Sequence, residues 1–399
     1  MPSTTAHESR PNQDQPLSLL ALTSLFPNPF QPGWALFNQR QIRALARFTR
    51  LGLVAPIPFR QAWPGLLGPA RLDPEPFPVL RPWFLYLPGV KRSWQGRAFL
   101  ASAWPGLRRL AGQLRPRVIY ATWLFPDAWA GLMAARRLGL PLAVRLHGSD
   151  LLARAGRDER QPYLRQTLAG AQAVIAPSRS LLEAARDLGA RPERLWLVSN
   201  GLDRNLFRPA KREEARRELG LPLGPLALFV GRLEPVKGPD LALEALAASP
   251  GINLVMVGEG SLAGNLRARA RALGLAGRVA WAGGQPPARV ARYLAACDAL
   301  ILPSRSEGEP NALLEALACG RPAAATAVGG VPDLIQDGVN GFLASPCDAP
   351  SLALALRRTL DGAWKPEVIS AGVAGRSWEA SAAELLKALQ AAAALGAGA

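Results

Sequence analysis

The chain has 399 residues, 49% hydrophobic and 19% charged, with a formal net charge of +17. That balance is globular and long enough for two domains with full cores, which excludes a disordered or fibrous chain. No apolar run approaches the roughly 18 residues of a membrane span, and no charged-then-apolar leader opens the chain. Residues 1–15, polar and proline-rich, therefore read as a short disordered tail on a cytosolic protein.

The charge is unevenly placed. Residues 1–205 carry 27 Lys and Arg against 12 Asp and Glu, whereas residues 206–399 carry 20 against 18. No dense basic block or nucleic-acid motif accompanies the excess, so nucleic acid is not an expected partner. The basic half also holds Trp34, Trp63, Trp83, Trp94, Trp104, Trp123 and Trp129. Basic surface with interfacial tryptophan fits an anionic membrane face or a lipid diphosphate. An arginine-rich composition explains it equally well, since only five of the 47 basic residues are lysine. Cys297, Cys319 and Cys347 lack metal spacing and read as buried reduced thiols.

Along the chain, residues 17–23 form a first strand, and a loop containing Gly33 and several prolines follows. Helical spacing then runs from residue 35 to 51, completing the first unit of a doubly wound sheet. Residues 51–58 read as a second strand. Residues 59–92, rich in proline and aromatics, show little periodicity, as a functional or mobile segment would. Helices at 99–114, 128–138, 158–168 and 178–189 then alternate with strands at 117–121, 142–146, 173–176 and 195–198. His147 ends one of those strands. Asp150 reads equally as a cap of the next helix or as a site group, and His7 is inert in the tail.

After a charged helix at 211–219 the alternation restarts. Strands are expected at 226–230, 252–257, 278–282, 299–302, 321–326 and 341–343. Helices are expected at 239–248, 261–273, 286–296, from 310 to a stop at Gly320, and at 331–335, 351–359 and 377–393. The reading is an α/β chain of two tandem Rossmann-like parallel-sheet domains. They occupy residues 16–203 and 204–375, with a final helix over 376–399 crossing back to the first. Such sheets bind ligands in the cleft at the carboxyl ends of their strands.

The most informative stretch is Ser304 to Gly320. Two carboxylates, Glu307 in a loop and Glu315 on a helix, flank a helix start with seven residues between them. The backbone N–H groups of Asn311, Ala312 and Leu313 would be free there, and the dipole favours an anion. One strand–loop–helix thus offers amides for phosphates and acids for hydroxyls, which suits a sugar diphosphate. Gly258-Glu259-Gly260 reads as a tight turn whose glutamate could equally touch a ligand.

Glu307 and Glu315, Gly231-Arg232 with Lys237-Gly238, and Asn200-Gly201, in that arrangement at strand ends, resemble the retaining nucleotide-sugar glycosyltransferases of family 4, which have the GT-B architecture. The resemblance covers nearly the whole chain, weakest at residues 52–115. The opening Phe26-Pro-Asn-Pro and Pro32-Gly33 are similar to the teichuronic acid and exopolysaccharide branch. The resemblance implies that Arg232 and Lys237 clamp the donor diphosphate without metal. It implies that Glu307 bonds donor-sugar hydroxyls, that Glu315 accepts the ribose hydroxyls, and that His147 faces them across the cleft. Gly33, Asn200, Gly231, Glu259, Gly308, Asn311, Ala312 and Leu313 would complete the donor site. Implied partners are a nucleotide-sugar donor and a saccharide or polyprenyl-diphosphate-linked acceptor, to which the basic first half adds an anionic surface at the inner membrane face. Attack on the same face as the departing phosphate is the mechanism the resemblance implies. Glu309 fits no part of the family pattern, and a carboxylate beside the sugar pocket is expected to set sugar preference. A nucleotide-sugar-binding protein without transfer activity, or an epimerase of the same architecture, stays open as an alternative.

Overall fold

A computed structural model describes residues 16–59, 71–85, 93–148, 151 and 159–397. The readings for residues 1–15, 60–70, 86–92, Ser149 and Asp150 lie outside the described residues.

The first part runs β1 (Leu17–Leu22), α1 (Leu36–Ala46), β2 (Thr49–Val54), β3 (Ile57–Pro58), β4 (Val79–Leu80), β5 (Trp83–Phe84) and α2 (Ser93–Leu114). It continues with β6 (Val118–Thr122), α3 (Trp129–Leu138), β7 (Leu142–Arg145), α4 (Gln161–Gly170), β8 (Ala173–Ala176), α5 (Arg179–Asp187) and β9 (Leu195–Leu197). The second part runs α6 (Arg212–Leu219), β10 (Leu226–Val230), α7 (Pro239–Ala247), β11 (Asn253–Val257), α8 (Ala263–Ala272), β12 (Val279–Gly283) and α9 (Pro287–Ala296). β13 (Ala299–Leu302), α10 (Asn311–Ala318), β14 (Ala323–Thr326), β15 (Gly341–Ala344), α11 (Ala349–Asp361), α12 (Pro366–Ala371) and α13 (Trp378–Ala397) complete it.

Two large parallel sheets result, ordered β4-β2-β1-β6-β7-β8-β9 and β12-β11-β10-β13-β14-β15, while β3 and β5 pair as a separate two-stranded sheet. Their central strands are short apolar runs, such as Val-Ile-Tyr-Ala-Thr in β6 and Ala-Leu-Ile-Leu in β13, buried on both faces by helices. Full burial is what a parallel sheet requires, because its crossover helices cover both faces. β1 lies between β2 and β6, and β10 between β11 and β13. Winding reverses at those strands, so the loops leaving neighbouring strand ends diverge and open a crevice. The loops after β1, β10 and β13 are therefore placed by topology to carry a site.

The last helix belongs to the first sheet. α13 packs its Ala382, Leu385, Ala388 and Leu389 into the cluster formed by Leu19, Ile42, Tyr120 and Ala143. A side chain on Gly201 would begin 2.5 Å from the Trp378 backbone, so the chain crosses closely there.

Four readings need correction. α1 stops at Ala46 rather than 51, because Thr49 donates its hydroxyl to the Leu45 carbonyl and starts β2. The strand read over 51–58 divides into β2 and β3 on either side of Pro56, which has no N–H to give a ladder. The helix read at 331–335 is a single turn, closed by Ile335 N–H on the Val331 carbonyl. It goes no further because the Asn340 side chain takes the Gln336 N–H. Cys347 is exposed, not buried, in a turn beyond β15 with φ 57°.

Candidate active site

The loops after β10 and β13 are built as one unit. Gly238 has φ 61°, and a Cβ there would lie 2.0 Å from the Pro303 carbonyl oxygen. Arg305 donates its backbone N–H to the Val236 carbonyl at 2.9 Å and forks Asp240 at 2.9 and 2.6 Å. Against that frame the Lys237 ammonium reaches both oxygens of Glu307, at 2.7 and 2.8 Å. The Ser304 hydroxyl donates to Glu307 Oε1 at 2.6 Å, and Thr326 donates to the Ser304 carbonyl at 2.5 Å. Glu307 is buried, with its side chain 6% exposed, while that of Lys237 is 26% exposed. Together they present a cation at the mouth of the crevice with its counter-ion behind it.

Arg232 lies on the same loop with its side chain in solvent. Gly231 gives its N–H to the Val257 carbonyl, and Leu233 gives its N–H to the Glu259 carbonyl. Gly258 and Gly260 admit this packing, since side chains there would lie 1.9 and 2.4 Å from loop carbonyl oxygens. Glu259 turns its carboxylate to the Gly284 N–H at 3.2 Å, which ties it to the loop after β12.

At the start of α10 the expectation of three free amides is reduced to two. Leu313 donates to the Pro310 carbonyl at 3.1 Å, and Asn311 and Ala312 have no backbone N–H partner among the described residues. Glu315, one turn on, lines a cavity of about 250 Å³ together with Gly33, Phe37 and Arg40 of the first domain. Burial pushes its carboxyl up to about 7, against the pull of the Arg40 guanidinium. A side chain on Gly33 would meet nothing within 4 Å, so it is open space, not packing, that fronts this glycine.

From the first domain comes His147, just beyond β7, in an edge-on contact with the Phe37 ring whose centroid lies 5.2 Å from its own. Its Nε2 is shielded from solvent. Burial, helped by the nearby Arg145 cation, pushes the imidazole down to about 3, so it is neutral near pH 7. The two domains touch through glycine. A Cβ on Gly308 would lie 2.1 Å from the His147 carbonyl oxygen, and one on Gly148 would lie 2.5 Å from the Gly308 nitrogen. Gly329 and Gly330 pack behind, 1.7 and 2.2 Å from the Glu307 and Gly308 carbonyl oxygens by the same measure. Glu307 and His147 are thus held beside each other by main-chain contact.

Two expected ligands have other duties. Asn200, expected at the donor, is buried, and its side chain accepts from Arg145 and donates to the Glu309 carbonyl and Asn311 Oδ1. Glu309, expected beside the sugar, bonds Asn200 and Arg376 instead. Sequence reading missed Arg145, Arg376, Ser304 and the Gly329-Gly330 pair. Arg145 left one usable signal, a lone charge inside the apolar strand Leu-Ala-Val-Arg.

Known proteins resemble this chain in sequence and in fold. The family description "Glycosyl transferases group 1" matches residues 211–372, and "Glycosyltransferase Family 4" matches residues 65–206. The D-inositol 3-phosphate glycosyltransferase of Acidothermus cellulolyticus is 37% identical over 276 residues, 63% of this chain. The aligned part spans 61% of that relative's length. TuaC of Bacillus subtilis, a glycosyltransferase provisionally assigned to teichuronic acid biosynthesis, is 30% identical over 88% of this chain and 92% of its own. Anabaena Alr3699/HepE, solved with UDP, matches with a TM-score of 0.74 at 23% identity, covering 94% of this chain and 100% of that one. The sucrose-phosphate synthase of Thermosynechococcus elongatus matches at 0.73 and 22% identity, covering 96% and 98%. At those identities the structural likeness speaks for the fold.

Two outcomes follow from the geometry. Gly308→Ala drives a methyl group into the His147 carbonyl and separates Glu307 from His147, so ligand-dependent activity falls by about 100-fold. Gly112→Ala, a helical position with nothing within 4 Å, leaves activity unchanged. Steady-state assays of the two variants check this pair. Glu315 costs stability only once it must ionise in the fold. That cost is absent below pH 4.5, grows up to about pH 7 and stays constant above. Glu315→Gln therefore stabilises the ligand-free protein at pH 8 by on the order of 1–3 kcal/mol and gives no gain at pH 4, as melting at the two pH values shows.

Proposed function

The chain belongs to glycosyltransferase family 4 and has the two-domain GT-B architecture, and on that premise we propose that it transfers a hexose from a nucleoside-diphosphate sugar with retention of configuration. The acceptor is a hydroxyl of a saccharide or polyprenyl-diphosphate-linked saccharide, in bacterial surface polysaccharide assembly. The observation that carries this reading is the Lys237–Glu307 pair, set at strand ends beside a neutral His147 and a buried Glu315.

In this reading the Lys237 ammonium and Arg232 guanidinium neutralise the charge that develops on the diphosphate as the bond from sugar C1 to phosphate oxygen breaks. The open Asn311 and Ala312 amides at the helix start favour the same anion. These are fixed charges already in place, so the reading calls for no metal. Glu307, with Oε1 already bonded twice, has acceptor capacity left on Oε2 for a sugar hydroxyl. Glu315, ionised above about pH 7, accepts the ribose hydroxyls. His147, being neutral, can hydrogen-bond a sugar hydroxyl without placing a second cation at the anomeric carbon. The acceptor oxygen bonds C1 on the face that the phosphate leaves, and its proton passes to the departing phosphate oxygen. UDP in the Anabaena complex makes uridine nucleotides the first donors to try.

A panel of uridine and guanosine diphosphate sugars, with polyprenyl-diphosphate saccharides as acceptors, tests the reading. Wild type is expected to release nucleotide, and NMR of the product is expected to show the donor's anomeric configuration. Lys237→Ala and Glu307→Ala are each expected to lose on the order of 100-fold in kcat/KM. Donor binding with neither transfer nor slow hydrolysis would leave a binding protein, and donor conversion without acceptor an epimerase.

The excess of basic residues in the first half, with exposed Phe59, Trp83, Leu85 and Trp94, supports peripheral attachment at the inner face of the cytoplasmic membrane. Among the described residues no helix is long and apolar enough to cross a membrane. Co-sedimentation with vesicles is expected to require anionic lipid and to weaken with salt. Absence of binding at low salt removes the attachment.

A further inference from the structure

Glu309 lies two residues beyond Glu307, with its side chain only 2% exposed. Both of its oxygens are held, and by different parts of the chain. Oε2 accepts the backbone N–H of Asn200, at the exit of the first domain, at 2.5 Å. Oε1 accepts Nη1 of Arg376, just before the helix that crosses back, at 2.6 Å. Asn200 extends the chain of contacts by accepting Nη2 of Arg145 at 3.0 Å and donating to the Glu309 carbonyl at 3.3 Å. Arg145 is fully buried, and its Nε and Nη1 have no partner among the described residues. The acidic groups acting on it are Tyr120 and Glu309. One carboxylate therefore serves a buried cation in the first domain, the amide at the domain exit, and a cation at the return crossing.

We propose that Glu309 is a positioning residue, an interdomain latch that holds the Glu307-Gly308 backbone in register against His147-Gly148. It acts through Glu307, and its importance to catalysis rests on the transferase reading above. Gly308 sits between the two glutamates, so whatever fixes Glu309 on the first domain also fixes the close contact of Gly308 with the His147 carbonyl. An amide in place of this carboxylate cannot satisfy both partners. Asn200 N–H and Arg376 are both donors, and a glutamine turned either way presents its NH₂ to one of them. Loss of the negative charge also leaves Arg145 buried with a weaker counter-charge.

The test uses the full-length protein with Glu309→Gln, Arg376→Gln and the double variant. UDP titration confirms that each is folded and binds nucleotide. For Glu309→Gln a latch predicts a fall in kcat of about 10- to 100-fold with UDP affinity nearly unchanged. It also predicts an unchanged order of preference among nucleotide sugars and a larger radius of gyration in small-angle scattering. The double variant is expected to be little worse than Glu309→Gln alone, as coupled partners are. If Glu309→Gln does not fold, Arg376→Gln, which breaks one bond at a partly exposed side chain, carries the same kcat and scattering expectations. An altered order of sugar preference would return Glu309 to the sugar pocket and overturn the latch. So would a lowered melting temperature with kcat and radius of gyration unchanged. A wild type that transfers no sugar sinks the transferase reading, while the scattering comparison still decides the latch.

Discussion

Gly308 has no room for a side chain, because the carbonyl of His147 from the other domain stands where its Cβ would begin. Most of the site depends on that closeness. Two parallel sheets can each offer a crevice at their strand ends, but chemistry between them needs groups from both held to within about half an ångström. Here the spacing is set by main chain on main chain, which has fewer soft torsions than two side chains meeting. Glycines at 148, 308, 329 and 330 are the condition for it. Each removes a Cβ where three loops converge.

Charge is arranged around this contact in a graded way. Lys237 and Glu307 neutralise each other at the crevice mouth, where the lysine still meets solvent. A diphosphate arriving there can meet the ammonium from its solvent side while Glu307 keeps its own bond, so the buried carboxylate is not left unpaired. Deeper in, burial dominates. Glu315 is pushed up to about 7, which leaves it about half ionised at neutral pH, and His147 down to about 3, which leaves it uncharged there. Arg145 stays buried as a cation beside them, with Asn200 and Glu309 carrying its field toward the second domain.

Much of the fold was legible in the residues. Apolar runs of four to six, alternating with helical spacing, mark the strands of both sheets, because parallel strands are covered on both faces and tolerate little else. The weak places were local. Pro56 divided one strand, an asparagine side chain cut a helix to a turn, and a left-handed turn put Cys347 into solvent. In each case a short polar or conformational preference outweighed a periodic pattern too brief to resist it. At the site, Glu307 was singled out from the loop after a strand and Lys237 through the family resemblance, and the structure shows them bonded to each other. Asn200 entered the donor site through the family resemblance, and Glu309 was placed at the sugar because it stands two residues from Glu307 and departs from the family pattern. Their bonds to Arg145 and Arg376 lie 55 and 67 residues away in sequence and leave no local trace.

By itself the sequence determined the two-sheet architecture, the order of its elements and the strand ends where a sugar-diphosphate chemistry would gather. Those features follow from patterns within some 20 residues, where burial and capping act on neighbours along the chain. Only the tertiary structure decided which carboxylate does which work. A carboxylate's role is set by the donors that surround it, and those donors come from loops, a second domain and a returning helix. Glu307 and Glu309 differ by two positions and no chemistry, yet one faces a lysine at an open crevice while the other is enclosed between the amide of Asn200 and the guanidinium of Arg376.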